Sequence, residues 1–183
     1  MKTKCWILDL DDTCFSFLDH TCFIHYWLTG KLYKTTDLPH WDLPDDLNQT
    51  FKDYENWIYI SQPIFPKVVQ TIKKLKEKGY KIIFMTARPK EFKKHTLFNL
   101  AFNKIDVKED ELYFNKNKSL KINRLAEIYD IQVFADDKLE TVNKVKTETE
   151  VPNVYLVNTP VNRNEEVAEG IIRINNIHEI KEL

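Results

Sequence analysis

The sequence predicts an α/β fold: a Rossmann-like parallel sheet with helices on both faces and a small helical cap inserted after the first strand. Three observations predict it. Short, continuous apolar runs of strand length alternate with amphipathic stretches of helical period. Polar residues break those runs at their C-terminal ends, where ligands bind in parallel α/β sheets. An aromatic-rich stretch interrupts the alternation after the first run, so residues 1–13 and 66–183 read as the core and 14–65 as the inserted cap.

Each element follows from its local pattern. Cys5-Trp6-Ile7-Leu8 is a buried strand that ends at Asp9. Phe15, Leu18, Cys22, Tyr26 and Trp27 lie near helical spacing, and Gly30 suits the end of that helix. Pro39 and Pro44 mark a loop, and Leu47, Phe51, Tyr54, Trp57 and Ile58 carry a second helix. Pro66 suits a first helical position; Val68, Val69, Ile72 and Leu75 form one stripe, and Gly79 suits the left-handed residue past the end. Lys81 to Met85 is a strand ending in Thr86, and a helix runs over roughly Lys90 to Phe102. Leu112-Tyr113-Phe114 is a short strand, and Ser119 is placed to cap a helix bearing Ile122, Leu125 and Ile128. Gln132 to Ala135 is a strand that ends in Asp136-Asp137. A helix over Leu139 to Val145, a strand over Val154 to Val157, an edge strand over Ile171 to Ile174 and a terminal helix over Ile177 to Leu183 complete the chain.

The totals bound the class. With 183 residues, 43% hydrophobic and 30% charged, the chain has the balance of one ordinary globular domain, and only 3 Gly and 7 Pro argue against long disorder. Its apolar runs are too short for a transmembrane helix, and Met1-Lys2-Thr3-Lys4 lacks the apolar core of a secretory signal. Cys5, Cys14 and Cys22 are odd in number and form no CxxC, so buried thiols in a reducing cytoplasm are expected rather than disulfides or zinc. The net charge of −1 selects no partner, but Lys67 to Lys104 holds eleven Lys/Arg against two Glu, a stretch that attracts phosphate-bearing ligands or forms a solvated face. The five histidines form no HxH or HExxH cluster.

Asp9, Asp11, Asp136 and Asp137 converge with Thr86 on one sheet edge. Several carboxylates in one crevice stay ionised only around a cation. All-oxygen ligands without His or Cys select a hard ion, and Mg2+ suits them because it keeps waters and phosphate oxygens as further ligands. One carboxylate can then attack phosphorus, and a second, two residues on, can move the proton. A hydroxyl from Thr86 and an ammonium from Lys118 or Lys116 suit the equatorial phosphoryl oxygens.

These residues resemble the motifs of the haloacid dehalogenase-like phosphatases, in that family's order and over about residues 5 to 158. Asp9-Leu10-Asp11-Asp12-Thr13 resembles motif one, Phe84-Met85-Thr86 motif two, the lysines of Asn115-Lys116-Asn117-Lys118 motif three, and Ala135-Asp136-Asp137 motif four. The resemblance implies Asp9 as nucleophile and metal ligand. It implies Asp11 as general acid/base and, through its backbone carbonyl, a metal ligand. Asp136 is then a metal ligand with Asp137 in support, and Thr86 and Lys118 hold the phosphoryl group. Asp12 stands where Gly is often found, and Lys116 competes with Lys118 for the lysine role. Receiver domains use similar residues in another order: their acidic pair comes first and their lysine last, whereas here Asp136-Asp137 follows the lysine.

Looser matches point to a substrate. Trp41-Asp42-Leu43, Ala135-Asp136-Asp137-Lys138, Asn158-Thr159-Pro160-Val161-Asn162-Arg163 and Asn175-Asn176-Ile177-His178-Glu179-Ile180 resemble stretches of the 5′(3′)-deoxyribonucleotidases, which implies a nucleoside monophosphate as substrate. Phe17, Trp27 and Trp57 are the cap aromatics expected to stack on its base, with core packing as their alternative use. Thr86-Ala87-Arg88-Pro89 resembles instead the 3′-phosphatase domain of phage polynucleotide kinases, with Arg88 on a phosphate or a nucleic-acid backbone. A phosphatase of polynucleotide ends is therefore the second reading, and a non-catalytic nucleotide or metal binder a third of another class.

Overall fold

The computed structural model describes residues 1–38 and 43–181. Trp41 and Asp42, two of the three residues of one expected substrate signature, lie outside the described residues, as do the last two residues of the expected terminal helix.

Six parallel strands form one sheet: β1 (Thr3–Leu8), β2 (Lys81–Thr86), β3 (Leu112–Phe114), β4 (Tyr129–Asp136), β5 (Asn153–Val157) and β6 (Ile171–Ile174). Their order is β3-β2-β1-β4-β5-β6. The chain winds outward from β1 to β3, then returns and winds the other way from β4. The order therefore reverses between β1 and β4, which is where such sheets open a crevice.

Helices cover both faces, so the central strands are apolar on both sides rather than alternating. Trp6, Leu8, Ile82, Phe84 and Val133 face Val68, Ile72 and Leu75 of α3 (Val68–Glu77) and Leu100 of α4 (Lys93–Phe102). Cys5, Ile7, Ile83, Met85 and Phe134 face Ile122 and Leu125 of α5 (Lys118–Ala126) and Val142 and Val145 of α6 (Leu139–Glu148).

The connection from β1 to β2 holds α1 (Phe17–Thr29) and α2 (Asp45–Ser61). Leu18, Cys22, Leu38 and Leu47 make a small apolar cluster of their own, joined by Val161 from the loop after β5. The outgoing and returning segments run side by side: Ser16 N–H donates to Pro63 O (2.9 Å) and Phe65 N–H to Cys14 O (2.9 Å). Gly30 ends α1 at φ 74, the left-handed conformation that glycine adopts without steric cost.

Several expected boundaries move. Asn117, not Ser119, caps α5: its side chain accepts from Leu120 N–H (3.2 Å), while Ser119 is already inside the helix and bonds Glu148. Pro66 precedes α3, because Lys67 takes a left-handed φ of 67 that ends the preceding turn before the helix begins at Val68. The stretch from Lys90 starts as a 3-10 turn, Lys90–Phe92, before α4. The terminal element is a single 3-10 turn, Ile177–Glu179, capped by the Asn176 side chain. No helix among the described residues is long and apolar enough to cross a membrane, and all three cysteines are free and buried.

Candidate active site

The ends of β1, β2 and β4 and the start of α5 bring Asp9, Thr86, Asp136, Asp137 and Lys118 to one place. With Asp11 and Phe17 they line a cavity of about 440 Å³. The fold explains why these side chains meet. Leu8 pairs with Ala135 and with Phe84, so Asp9 emerges beside Asp136 on one side and level with Met85, one residue before Thr86, on the other. Asp9 N–H continues that ladder onto Ala135 O at 2.9 Å. Parallel strand register thus sets the heights of Asp9, Thr86 and Asp136, and the start of α5 brings Lys118.

Asp9, Asp136, Asp137 and Lys118 are all at most 5% exposed. The Lys118 ammonium bonds Asp9 Oδ1 and, at 2.6 Å, Asp136 Oδ2. Burial works against its charge, but Asp136 and Asp9 outweigh that and hold it above the usual lysine range. Burial pushes Asp9 up to about 8; Lys118 opposes this and the charges of Asp136 and Asp11 add to it. Burial and then the charge of Asp136 push Asp137 well above the usual carboxylate range. Lys138 N–H donates to Asp136 Oδ1 (2.9 Å), and the Asn162 amide donates to the carbonyl oxygens of Asp137 (2.6 Å) and Val157 (2.8 Å).

The donor set fits a divalent cation. Asp9, Asp136 and Asp137 each offer a carboxylate oxygen, and those atoms lie within 4.8 Å of one another. Among the described residues Lys118 is the cation paired with this trio, through Asp9 and Asp136, so a bound ion would balance the negative charge that remains when all three carboxylates are ionised.

Asp12 and Asp11 face different ways. Asp12 has a φ of 50, which explains the glycine-like position, and its carboxylate accepts from Phe17 N–H (2.9 Å) and Leu18 N–H (3.1 Å) at the start of α1. Burial pushes it up to about 7, against those two backbone bonds. Asp11 is gripped by Arg88, whose Nη2 donates to Oδ1 (2.6 Å) and whose Nε donates to Oδ2 (2.8 Å). Arg88 is 4% exposed; it also donates to Thr96 Oγ1 (3.0 Å) and Gln62 Oε1 (2.8 Å) and lies 4.5 Å from the Tyr59 ring centre.

Among the expected substrate contacts, the structure brings only Phe17 to the cavity wall. Its ring packs edge-on to Phe51 and near Tyr59. Arg88 lies beneath Asp11, and Trp27 and Trp57 are exposed on the outer faces of α1 and α2, outside the wall. Lys116 lines the cavity too, but the inward lysine on Asp9 is Lys118. Gln62 and Asn162, which hold Asp11 and the Asp137 backbone, had no assigned role in the sequence reading; Asn162 lies within a quoted stretch, whereas Gln62 has only its place before Pro63 as a local signal.

A buried Asp9–Lys118 pair beside Asp136 and Asp137, at the switch point of a parallel sheet, is the arrangement expected of a hydrolase of phosphoric monoesters. Residues 1–156 match the family described as HAD superfamily, subfamily IIIB (acid phosphatase), and the chain belongs to that family. A candidate nucleotidase of Oceanobacillus iheyensis is 26% identical over 156 residues, which covers 76% of this chain and 81% of that protein. The class C acid phosphatase of Bacillus anthracis shares the fold at a TM-score of 0.57 and 19% identity; the match covers 80% of this chain but only 59% of that one. The HAD hydrolase YfnB of Bacillus subtilis, solved with magnesium, superposes over 98% of this chain and 97% of its own at a TM-score of 0.64 and 9% identity.

Proposed function

We propose that the protein is a magnesium-dependent nucleotidase that releases phosphate from nucleoside monophosphates, deoxyribonucleotides first among them, through a phosphoryl group carried on Asp9. The observation that carries this reading is the Lys118 contact to Asp9: a buried carboxylate held by a cation at the head of β1, open to a cavity of small-molecule size. The nucleotidase description of the Oceanobacillus relative supports the substrate class.

In this reading Asp9 attacks phosphorus and the ester oxygen leaves, taking a proton from Asp11. Water then attacks the phosphorus of the Asp9 phosphate, gives its proton to Asp11, and restores the Asp9 carboxylate. Lys118 and the Thr86 hydroxyl bind the phosphoryl oxygens, and Lys118 orients Asp9 and opposes the burial that disfavours its ionised form. Asp9, Asp136, Asp137 and the Asp11 backbone carbonyl would hold Mg2+. When bound, the ion supplies positive charge for the phosphoryl oxygens and neutralises the carboxylates.

Residues 14–65 act as a cap over this edge, with Phe17 the aromatic placed to meet a base. The polynucleotide-end reading draws on Arg88 at a phosphate and on the basic stretch Lys67 to Lys104 as a track; of these, the Arg88 guanidinium is engaged with Asp11, Thr96 and Gln62. A cytoplasmic setting fits the three free, buried thiols.

Phosphate release tests the proposal on 5′- and 3′-deoxynucleoside monophosphates, ribonucleotides and a 3′-phosphorylated oligonucleotide, each with Mg2+ and with EDTA. Turnover of the free monophosphates that EDTA stops is the expected result. Turnover of the oligonucleotide alone would replace the nucleotidase reading, and undiminished turnover in EDTA would remove the metal.

A further inference from the structure

Gln62 is 1% exposed and sits where α2 returns to the core. Its conformation follows from the sequence. Pro63 disfavours helical geometry at the residue before it, so the helix ends and Gln62 turns extended at φ −59, ψ 134. Its N–H still closes the last helical turn onto Ile58 O (3.0 Å), and its carbonyl accepts from the Asn99 amide (3.1 Å). With the backbone fixed at both ends, the side chain reaches across to Asp11: Nε2 donates to Oδ1 at 2.9 Å, while Oε1 accepts from Arg88 Nη2 at 2.8 Å. The amide has one orientation only here, because an arginine can only donate and a carboxylate only accept.

The lone pairs of Asp11 then divide unequally. Oδ1 accepts from Arg88 Nη2 and from Gln62 Nε2, which uses both of its in-plane pairs. Among the described residues Oδ2 accepts only from Arg88 Nε, which leaves it one pair. We propose that Gln62 is a positioning residue for proton transfer, and that by filling Oδ1 it makes Oδ2 of Asp11 the atom that gives the proton to the leaving oxygen and takes one from water. The proton on Oδ2 moves to the ester oxygen as the P–O bond breaks; in the second step a water proton returns to Oδ2 as its oxygen bonds to phosphorus. This rests on Asp11 as the acid/base of the proposed reaction. It adds that a residue at the C-terminal end of α2, 51 positions away, orients that proton.

The test exploits leaving groups. An alkyl phosphate such as a 5′-deoxynucleoside monophosphate needs a proton on its leaving oxygen, and p-nitrophenyl phosphate does not. Gln62→Leu and the longer, unbranched Gln62→Met are compared with the parent protein by first-turnover release of the alcohol, which isolates P–O cleavage. The expected result in both variants is a fall of about tenfold or more in cleavage rate for the nucleotide, KM nearly unchanged, and little change for p-nitrophenyl phosphate. Equal losses on both esters, or none on either, would overturn the role of Gln62. Asp11→Asn separates the two claims. A leaving-group dependence in Asp11→Asn that is absent in both Gln62 variants sinks this inference alone, whereas no such dependence in Asp11→Asn sinks the acid/base reading beneath it.

Discussion

The sheet edge and the inserted helices hold their polar groups in opposite ways. At the sheet edge, Asp9, Asp136, Asp137 and Lys118 are buried; strand register places Asp9 and Asp136, and the start of α5 brings Lys118. In the cap, Asp46 is 45% exposed and is held by Lys31 (2.7 Å) and the Tyr33 hydroxyl (2.7 Å), all in loops or helix ends. Beneath them lies one small apolar cluster rather than a sheet-sized core. Exact placement of reacting groups needs a rigid frame, and parallel strands provide it. The inserted helices pack through the smaller cluster instead. The two regions meet at polar points that include Gln62 on Asp11 and Arg88, the Asn99 amide on the Tyr59 and Gln62 carbonyls, and Asp12 on the first turn of α1, while Val161 from the loop after β5 enters the cap cluster.

If the sheet edge carries the chemistry, its removal has the largest effect. Asp9→Asn keeps the shape and the ladder bond to Ala135 but removes the nucleophile. Turnover is expected to fall about 10⁴-fold or more, with the circular dichroism spectrum unchanged. Clear residual turnover would move the nucleophile elsewhere.

The cap answers differently to mutation. Leu47 is fully buried in the small cluster, and Leu47→Ala is expected to cost about 2–5 kcal/mol of local stability. Because the loss falls on the cap, KM for a nucleotide is expected to rise more than kcat falls. Trp57→Ala, at a position 61% exposed, is expected to stay within about 0.5 kcal/mol. Denaturant melts and steady-state kinetics on the pair check this. A larger kinetic effect from Trp57→Ala than from Leu47→Ala would mean that the outer aromatic face meets substrate.

What the sequence disclosed follows the same division. Asp9, Thr86 and Asp136 were legible because each breaks an apolar run at a strand end, a local pattern with one structural meaning. Lys118 was legible from its place at a helix start. Asp12 was visible as a departure, and its positive φ and its bonds to the first turn of α1 supply the reason. Of the cap aromatics Phe17 reaches the cavity wall, and spacing alone could not separate it from Trp27, because helical period does not say which face turns inward: α1 buries Leu18, Cys22 and His25 and leaves Trp27 outside. Gln62 and the inward turn of Arg88 depend on contacts 51 and 77 residues apart, for which no local pattern exists.

The smallest expected effect separates the two regions by pH. In the metal-free protein, burial and then the neighbouring carboxylates raise Asp9 from 3.8 to about 8, with Lys118 opposing. The folded form then binds more protons than the unfolded chain between those values, so this contribution to stability is full below pH 3.8 and is lost as pH rises towards 8. Asp46 has the opposite sign. Hydrogen bonds from Lys31 and then Tyr33 lower it from 3.8 to about 2, so its contribution is present above pH 3.8 and is lost as pH falls through about 2. Solvent screening keeps that second effect small. Thermal melts in EDTA are expected to show Asp9→Asn flattening the slope between pH 4 and 8 only. Asp46→Asn is expected to lower the melting temperature above pH 4 and to converge with the parent protein near pH 2. If both substitutions altered the same pH limb, the contrast between a charge-burying edge and a solvent-held cap would fail.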